Sequence, residues 1–417
     1  MINPRTKQRE LAYVVKIDNI EPIIGSDNCE AAIVGGWKVM VRKNTFNPGD
    51  YAVYFEIDSK VPEIEIYSFL KPKHYKIKTQ KYTFGGKGNF ISQGLLMHFN
   101  DFYDNSGKIP TWQFEFNNLI INNINPLEEG FFLTNILEVK YSIADDNKRK
   151  SNINKYLRMK QRNAKLFEKY KFLNKLYRKK WGKRLLFIFL GNRRDARASY
   201  WPEWVVKTDE ERVQNLPQLF PGDDTEWFVT EKIDGSSTTF TMKRNKIKRN
   251  EFYVCSRNVC FDKPNKQCFY ETNIYTEMAE KYNIEQVLKD ILTRNPDFKF
   301  ITIQGETYGE TVRKKTYGIH GRDFKAFNLI VGKKDGQTKR LNPKEMTEFL
   351  IPYGIPCVPI LDEHFKLPNS IDEMVEYADG ISVVDQGTIR EGVVLRTYDG
   401  VNSFKSVSNK YLIEKGE

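Results

Sequence analysis

Cysteine is scarce, with five residues in a chain of 417. That excludes a small fold built on disulfides. Cys255, Cys260 and Cys268 lie near one another, but their spacing fits no zinc pattern, and the nearest histidine, His320, is distant in sequence. Reduced, partly buried thiols are expected instead. No apolar run approaches the roughly 18 residues a membrane span needs; the longest stretch, Leu185 to Leu190, is far too short. Met1-Ile2-Asn3-Pro4-Arg5 has no hydrophobic signal region, so a soluble protein of the cytoplasm or another intracellular compartment is expected. Internal repeats and low-complexity tracts are missing too. Acidic residues are almost absent from one place: residues 148–184 carry 16 Lys/Arg against a single acid, Glu168. That segment is +15 in a chain of net charge +12, so all the rest is −3. A polyanionic partner would feel the protein through this segment.

The chain is long enough for two or three domains. Hydrophobic residues make up 40% and aromatics 13%, enough to build cores. Residues 9–57 read as short β-strands: Leu11 to Ile17, Ala31 to Val34, Trp37 to Val41 and Tyr51 to Ile57, punctuated by Gly25-Ser26-Asp27-Asn28, Gly35-Gly36 and Pro48-Gly49-Asp50. With a further strand at Gly94 to Met97, this spacing predicts a small barrel or sandwich. Gly85-Gly86-Lys87-Gly88 has no helix behind it and reads as a hairpin tip, not a phosphate loop. Within the basic segment, Leu166, Tyr170, Leu173, Tyr177 and Trp181 recur at helical spacing. Such a helix suits either a linker packed on a domain or an RNA-contacting arm.

From residue 200 the pattern is α+β with mostly antiparallel pairing. Thr208-Asp209-Glu210-Glu211 predicts a capping box opening a short helix. Strands are predicted at Trp227 to Lys232, Thr238 to Met242, Phe252 to Cys255, Phe300 to Gln304, Phe324 to Val331 and Gly392 to Arg396, and helices near 271–293, 343–350 and 370–378.

The sharpest feature is Glu231-Lys232-Ile233-Asp234-Gly235-Ser236-Ser237, a lysine between an apolar strand and a Gly-Ser turn. Alone, Lys-x-Asp-Gly is weak and fits a surface lysine equally well. It gains weight from the elements downstream of it, in this order: Ser256-Arg257-Asn258, Gln304-Gly305-Glu306, Asp323-Phe324-Lys325-Ala326-Phe327-Asn328, Glu391-Gly392-Val393-Val394-Leu395-Arg396 and Ser403-Phe404-Lys405-Ser406. These six elements resemble the motifs of covalent lysyl-nucleotide transferases, the ligases and RNA capping enzymes. More narrowly, the chain resembles the Naegleria-type ATP-dependent RNA ligases. Gly49 to Ser59 and Ile91 to Leu95 look like that family's N-terminal domain, and Trp204 to Asn215 like its entry into the catalytic domain.

The resemblance implies an α+β protein: an N-terminal OB-fold β-barrel over 8–137, a basic helical linker over 138–199, and an ATP-grasp-like nucleotidyltransferase domain of antiparallel sheets and helices over 200–417. It implies an RNA ligase that uses ATP and Mg²⁺, with Mn²⁺ able to substitute, to join 3′-hydroxyl and 5′-phosphate RNA ends through a lysyl-AMP intermediate. A role in RNA repair, a nicked duplex as one form of substrate, and a monomer go with that reading. Lys232 would be the nucleophile. Such an amine must be neutral, and an unperturbed lysine near pKa 10.4 is almost wholly protonated at neutral pH; a metal ion and Lys405 nearby would lower it. Asp234 and Glu391 would hold the metal, through its waters. Glu306 would accept from the ribose, Phe327 would stack on adenine, Glu231 would read its exocyclic amine, Arg257 would meet phosphate or ribose, and Arg212 and Lys405 would meet phosphate. The last motif departs from the common two-lysine pattern: Val407 stands two positions after Lys405, and Lys410, the next lysine, is the candidate for a second phosphate contact.

Two rivals are weighed against this. DNA ligases and capping guanylyltransferases usually carry an OB-fold behind the last lysine motif, whereas here the barrel-like block lies in front. A non-catalytic RNA-binding protein would not need Lys232, Glu306, Glu391 and Lys405 together.

Overall fold

The computed structural model describes residues 1–5, 9–84, 89–102, 128–142, 166–167, 170–190, 201–206, 209–245, 250–257, 260–261, 273–313 and 317–415. The N-terminal part contains β1 (Ala12–Lys16), β2 (Asn19–Pro22), β3 (Cys29–Val34), β4 (Trp37–Arg42), β5 (Tyr51–Phe55), β6 (Ser59–Lys60), β7 (Lys76–Ile77), β8 (Gln80–Thr83), β9 (Asn89–Ser92), β10 (Leu95–Met97) and β11 (Lys140–Tyr141). It has the strand set of an OB-fold: β2-β3-β4 form a meander, β1-β5-β10 a second sheet, and β8-β9 a hairpin. The Gly85–Gly88 tip lies outside the described residues, but the strands either side of it pair antiparallel.

β1 and β5 are buried on both faces, which is why they read as continuous apolar runs. Successive side chains point to opposite sides, so Ala12, Val14, Val53 and Phe55 enter one core with Tyr67, Leu70 and Leu133. Tyr13, Val15, Ala52 and Tyr54 enter a second core with Trp37 and Val39. That second core also takes Val407, Tyr411 and Leu412 from the far end of the chain. The two ends of the sequence therefore share one hydrophobic core.

Two helices, α1 (Lys171–Arg178) and α2 (Lys180–Leu190), stand in the basic segment. The predicted stripe is only partly right. Leu173 and Tyr177 pack, but the buried residues are Phe167 and Leu186, while Leu166, Tyr170 and Trp181 are exposed. Two short helices folded on each other replace the single long one that the periodicity assumed.

The C-terminal part contains β12 (Glu211–Arg212), β13 (Glu226–Lys232), β14 (Ser236–Lys243), β15 (Glu251–Ser256), β16 (Cys260–Phe261), α3 (Ile274–Lys281), α4 (Ile284–Arg294), β17 (Phe298–Gly309), β18 (Arg322–Lys333), β19 (Thr338–Arg340), α5 (Pro343–Leu350), β20 (Ile360–Lys366), α6 (Ile371–Ala378), β21 (Gly392–Thr397), β22 (Ser403–Val407) and α7 (Asn409–Lys415). They make a five-stranded sheet, β12-β22-β21-β13-β20, and a six-stranded sheet, β16-β15-β14-β17-β18-β19. Among the described strand pairs, only β12 with β22 runs parallel. The six-stranded sheet buries one face under α3, α4 and α5 through Met278, Leu288, Ile291, Met346 and Leu350.

Two expectations change, and one strand was not anticipated. No α-helix follows Asp209. Glu211 and Arg212 instead pair with Phe404 and Lys405, and a short 3-10 turn, Val213–Asn215, comes next; Thr208 lies outside the described residues. Strand pairing outweighs the local capping signal here. The helix expected near 271–293 is two helices, broken where Asn283 takes a left-handed φ of 46°. β20 gives no sequence signal because it is a polar edge strand, Ile-Leu-Asp-Glu-His-Phe-Lys, with no apolar run. Cys255 and Cys260 are buried and lie directly opposite each other across β15 and β16; Cys268 lies outside the described residues.

Leu412 tests the shared core. Leu412→Ala should lower the free energy of unfolding by about 2–5 kcal/mol, read from denaturant titration. A change near zero would mean that α7 does not dock on the N-terminal strands.

Candidate active site

β13 belongs to one sheet and β14 to the other, and the turn Ile233-Asp234-Gly235 carries the chain between them. This crossover puts Lys232 and Asp234 where the sheets meet. Gly235 is required there by close approach: a Cβ would lie 2.3 Å from Thr307 O and 2.9 Å from Glu306 Cγ. Gly392, opposite Lys232 on β21, has φ 154°, and its Cβ would lie 2.2 Å from Ser406 O. Both glycines let backbone strands close tightly around the lysine.

The Lys232 ammonium lies 2.7 Å from Glu391 Oε2. Burial acts to lower its pKa, but Glu391 and then Glu306 and Asp234 outweigh that, so it is held above the ordinary lysine value. Glu306 is pushed up to about 8, chiefly by burial, with Glu391 and Asp234 adding to the effect and Lys232 opposing it. Three carboxylates thus surround one ammonium, and one of them keeps its proton near neutral pH. The lowered lysine pKa expected for Lys232 is found instead at Lys405. Burial, then Arg9, with Arg212 and Lys232 in support, push Lys405 down to about 7 against Asp209.

Lys405 belongs to a second, cationic group. Its Nζ donates to Asp209 Oδ1 at 2.7 Å. Arg257 Nη2 donates to Oδ2 of the same carboxylate at 2.7 Å, and Arg9 Nε at 3.1 Å. Those cations hold Asp209 well below the usual carboxylate range, although burial acts to raise it. Arg212 is opposite Lys405 in the parallel pair. It is buried and donates through Nη2 to Asp58 Oδ2 at 2.7 Å, while its buried Nε and Nη1 meet no hydrogen-bond partner among the described residues. Two buried guanidinium donors without acceptors are costly, and an arriving anion would satisfy them.

Glu231 is buried, and both its oxygens already accept: Oε1 from Ser382 Oγ, Oε2 from Val383 N at 2.8 Å. Each oxygen has two lone pairs, so a further amine could still be received. Phe327 is half-buried and packs with Ile233, Tyr308 and Tyr317, Ile233 being the residue after Lys232. Lys410 is not drawn into either group. It is exposed on α7 and pairs with Asp379 at 3.7 Å.

Sequence reasoning missed four residues. Asp209 stood out only as part of a capping box. Arg9 is a lone basic residue ahead of β1 and gives no signal. Arg313 donates from Nε to Gly235 O at 2.9 Å and lies 3.7 Å from Asp234 Oδ1. The Tyr317 hydroxyl accepts from Asp234 N at 2.7 Å. The last two come from the β17–β18 connection, and only folding brings it over the Lys232 turn. Among the described residues, no three His, Cys, Asp or Glu side chains converge closely enough to ligate a metal directly. No described helix is long and apolar enough to cross a membrane.

Comparison with known proteins agrees with this geometry. The family model described as RNA ligase matches residues 225–412, and an OB-fold domain model matches residues 11–98. No curated protein matches. Among solved structures, Naegleria gruberi RNA ligase with PPi is 25% identical, with a TM-score of 0.67 over 98% of this chain and 99% of that one. Mutants of the same enzyme, one with AMP and Mn and one with ATP and Mn, are each 25% identical, with TM-scores of 0.66 over 97% of this chain and 99% of theirs.

The raised Glu306 carboxyl gives a pH prediction. Between the ordinary 4.5 and about 8, the folded chain holds one proton more than the unfolded chain. Stability attributable to this group must therefore fall as pH rises through that window. Glu306→Gln should flatten the fall, so its melting temperature should gain on wild type steadily from about pH 5 to about pH 8. Parallel curves would refute the assignment.

Proposed function

The chain being an ATP-dependent RNA ligase of the covalent nucleotidyltransferase type, with an OB-fold domain in front, we propose that Lys232 is its adenylylated nucleophile. The observation that carries this is the 2.7 Å contact of the Lys232 ammonium with Glu391 at the crossover between the two sheets. We assign residues 8–137 to the OB-fold domain, 138–199 to a basic connecting segment and 200–417 to the nucleotidyltransferase domain.

The donor set fits a divalent cation: Asp234, Glu306 and Glu391 crowd one ammonium, and burial leaves Glu306 protonated for want of positive charge. Asp234 and Glu391 would hold Mg²⁺ or Mn²⁺ through its waters. Bound there, the ion supplies charge that weakens Lys232's hold on its proton and offsets charge on the α-phosphate. Lys232 then gives its proton to a neighbouring carboxylate, for which Glu391 is nearest. Its free amine attacks the α-phosphorus of ATP. The bond to the β-phosphate oxygen breaks, and pyrophosphate leaves.

Lys405 and Arg212 receive the departing phosphates, with Arg212 bringing the two donors that have no partner. Arg257 contacts phosphate or ribose, Glu306 accepts from the ribose, Phe327 stacks on adenine, and Glu231 reads its amine while holding Ser382 and Val383. Lys410 plays at most a minor part at the phosphates. AMP next passes to an RNA 5′-phosphate. An RNA 3′-hydroxyl then displaces AMP, sealing the strand. The OB-fold domain holds RNA beside the break. The enzyme acts as an intracellular monomer in RNA repair, a nicked duplex being one substrate form.

Incubation with Mg²⁺ and α-labelled ATP or GTP, followed by a denaturing gel, tests the reading. Label from ATP alone is expected on wild type, none on Lys232→Ala, and roughly a hundredfold less on Lys405→Ala, the scale of losing one phosphate-stabilising group. Label from GTP would point to a capping enzyme. No label from either nucleotide on folded wild type would leave an RNA-binding protein as the better account.

A further inference from the structure

No described residue of the most charged part of the molecule belongs to the two charge groups of the candidate site. Lys171 to Leu190 contains seven Lys/Arg and no acid. Everything outside 148–184 sums to −3, so the net attraction of the chain for a polyanion at a distance comes from the basic segment.

Its described helices have a surface suited to one kind of polyanion. Four leucines turn inward: Leu173, Leu176, Leu186 and Leu190 pack with Phe167 and Tyr177 in a cluster made only of this segment. Exposed on α1 are Lys171, Lys175 and Arg178, spaced as one helical face, with Phe172 beside them at 62% exposure. Exposed on α2 are Trp181, at 56%, with Arg184 and Leu185 on the same face. Lys179 Nζ lies 5.8 Å from the Trp181 ring centre. Planar rings beside cations provide a stacking surface for bases and partners for phosphates. An amphipathic membrane helix would instead turn its aliphatic face outward; here only Leu166 and Leu185 do so among the described leucines of the segment.

We propose that the α1–α2 hairpin is a docking platform for single-stranded RNA flanking the ends to be joined, with Phe172 and Trp181 stacking on bases and Lys171, Lys175 and Arg178 meeting phosphates. The identity of the nucleic acid rests on the ligase reading.

The test uses the full-length protein and a fluorescein-labelled, 5′-phosphorylated single-stranded RNA of about 20 nucleotides, long enough to span more than one binding unit. Phe172→Ala/Trp181→Ala should raise Kd about tenfold or more, as expected for two stacked bases. Lys171→Glu/Lys175→Glu/Arg178→Glu should flatten the plot of log Kd against log salt by about two units, at roughly 0.7 for each phosphate no longer neutralised. All five side chains are exposed, and lysyl-AMP formation from ATP, which needs no RNA, should match wild type in both variants. Unchanged Kd and salt slope would overturn the proposal. So would loss of binding to vesicles of phosphatidylserine and phosphatidylcholine with RNA binding intact, which would mark a membrane surface. Wild type that binds RNA through these residues yet forms no lysyl-AMP would defeat the ligase reading and leave the platform standing.

Discussion

A half-buried carboxylate, Asp209, ties the molecule together. It accepts from Lys405 on β22, Arg257 after β15 and Arg9 ahead of β1. Arg9 in turn reaches Glu56 at 3.1 Å, inside the N-terminal domain. Tyr13 and Asn215 also donate to Glu56, so residues of both domains share that second carboxylate. Charges buried this deeply are tolerable only in each other's company, because removing one partner leaves another uncompensated at a cost of about 3–5 kcal/mol. The network therefore sets how the OB-fold domain sits on the nucleotidyltransferase domain. It also places three cations around one point. The shared apolar core of Trp37, Tyr54, Tyr411 and Leu412 holds the same joint on its dry side.

Next to this cationic group lies its electrostatic opposite. Lys232 is surrounded by Glu391, Glu306 and Asp234, and the unliganded balance keeps the lysine charged. If Lys232 is the nucleophile, as proposed, it would stay unreactive in this state until more positive charge entered. Coupling amine activation to the arrival of a cation with the nucleotide would keep the lysine from reacting out of turn. Lys405, already near neutrality at pH 7 from burial and crowding by Arg9, Arg212 and Lys232, would recover its proton as phosphates neutralise its neighbours. On the proposed reading, both lysines would respond to the same event in opposite directions.

The hydrophobic patterning made much of the fold legible. β1, β4, β5, β13, β17 and β18 are strong apolar or alternating runs, and each lies near its predicted place. Where a segment's conformation is decided by its pairing partner, the pattern misled. Glu211-Arg212 carries a helix-capping signal yet lies as a strand against Phe404-Lys405. β20 is too polar to announce itself, and α1 and α2 fold against each other where a continuous stripe suggested one helix.

For the site, ordered motifs alone singled out Lys232, Asp234, Arg257, Glu306, Glu391 and Lys405 as candidates, because each sits at or beside a strand whose flanking residues are distinctive. The resemblance of these ordered elements to the motifs of covalent nucleotidyltransferases, rather than their spacing as such, implied the chemistry. Tertiary structure alone decided which charges share a carboxylate, and so which lysine is held charged and which is driven toward neutrality. Arg9, Arg313 and Tyr317 join the site only through folding. Electrostatic energy depends on distance in space and on burial, and neither is written in the spacing of residues along the chain.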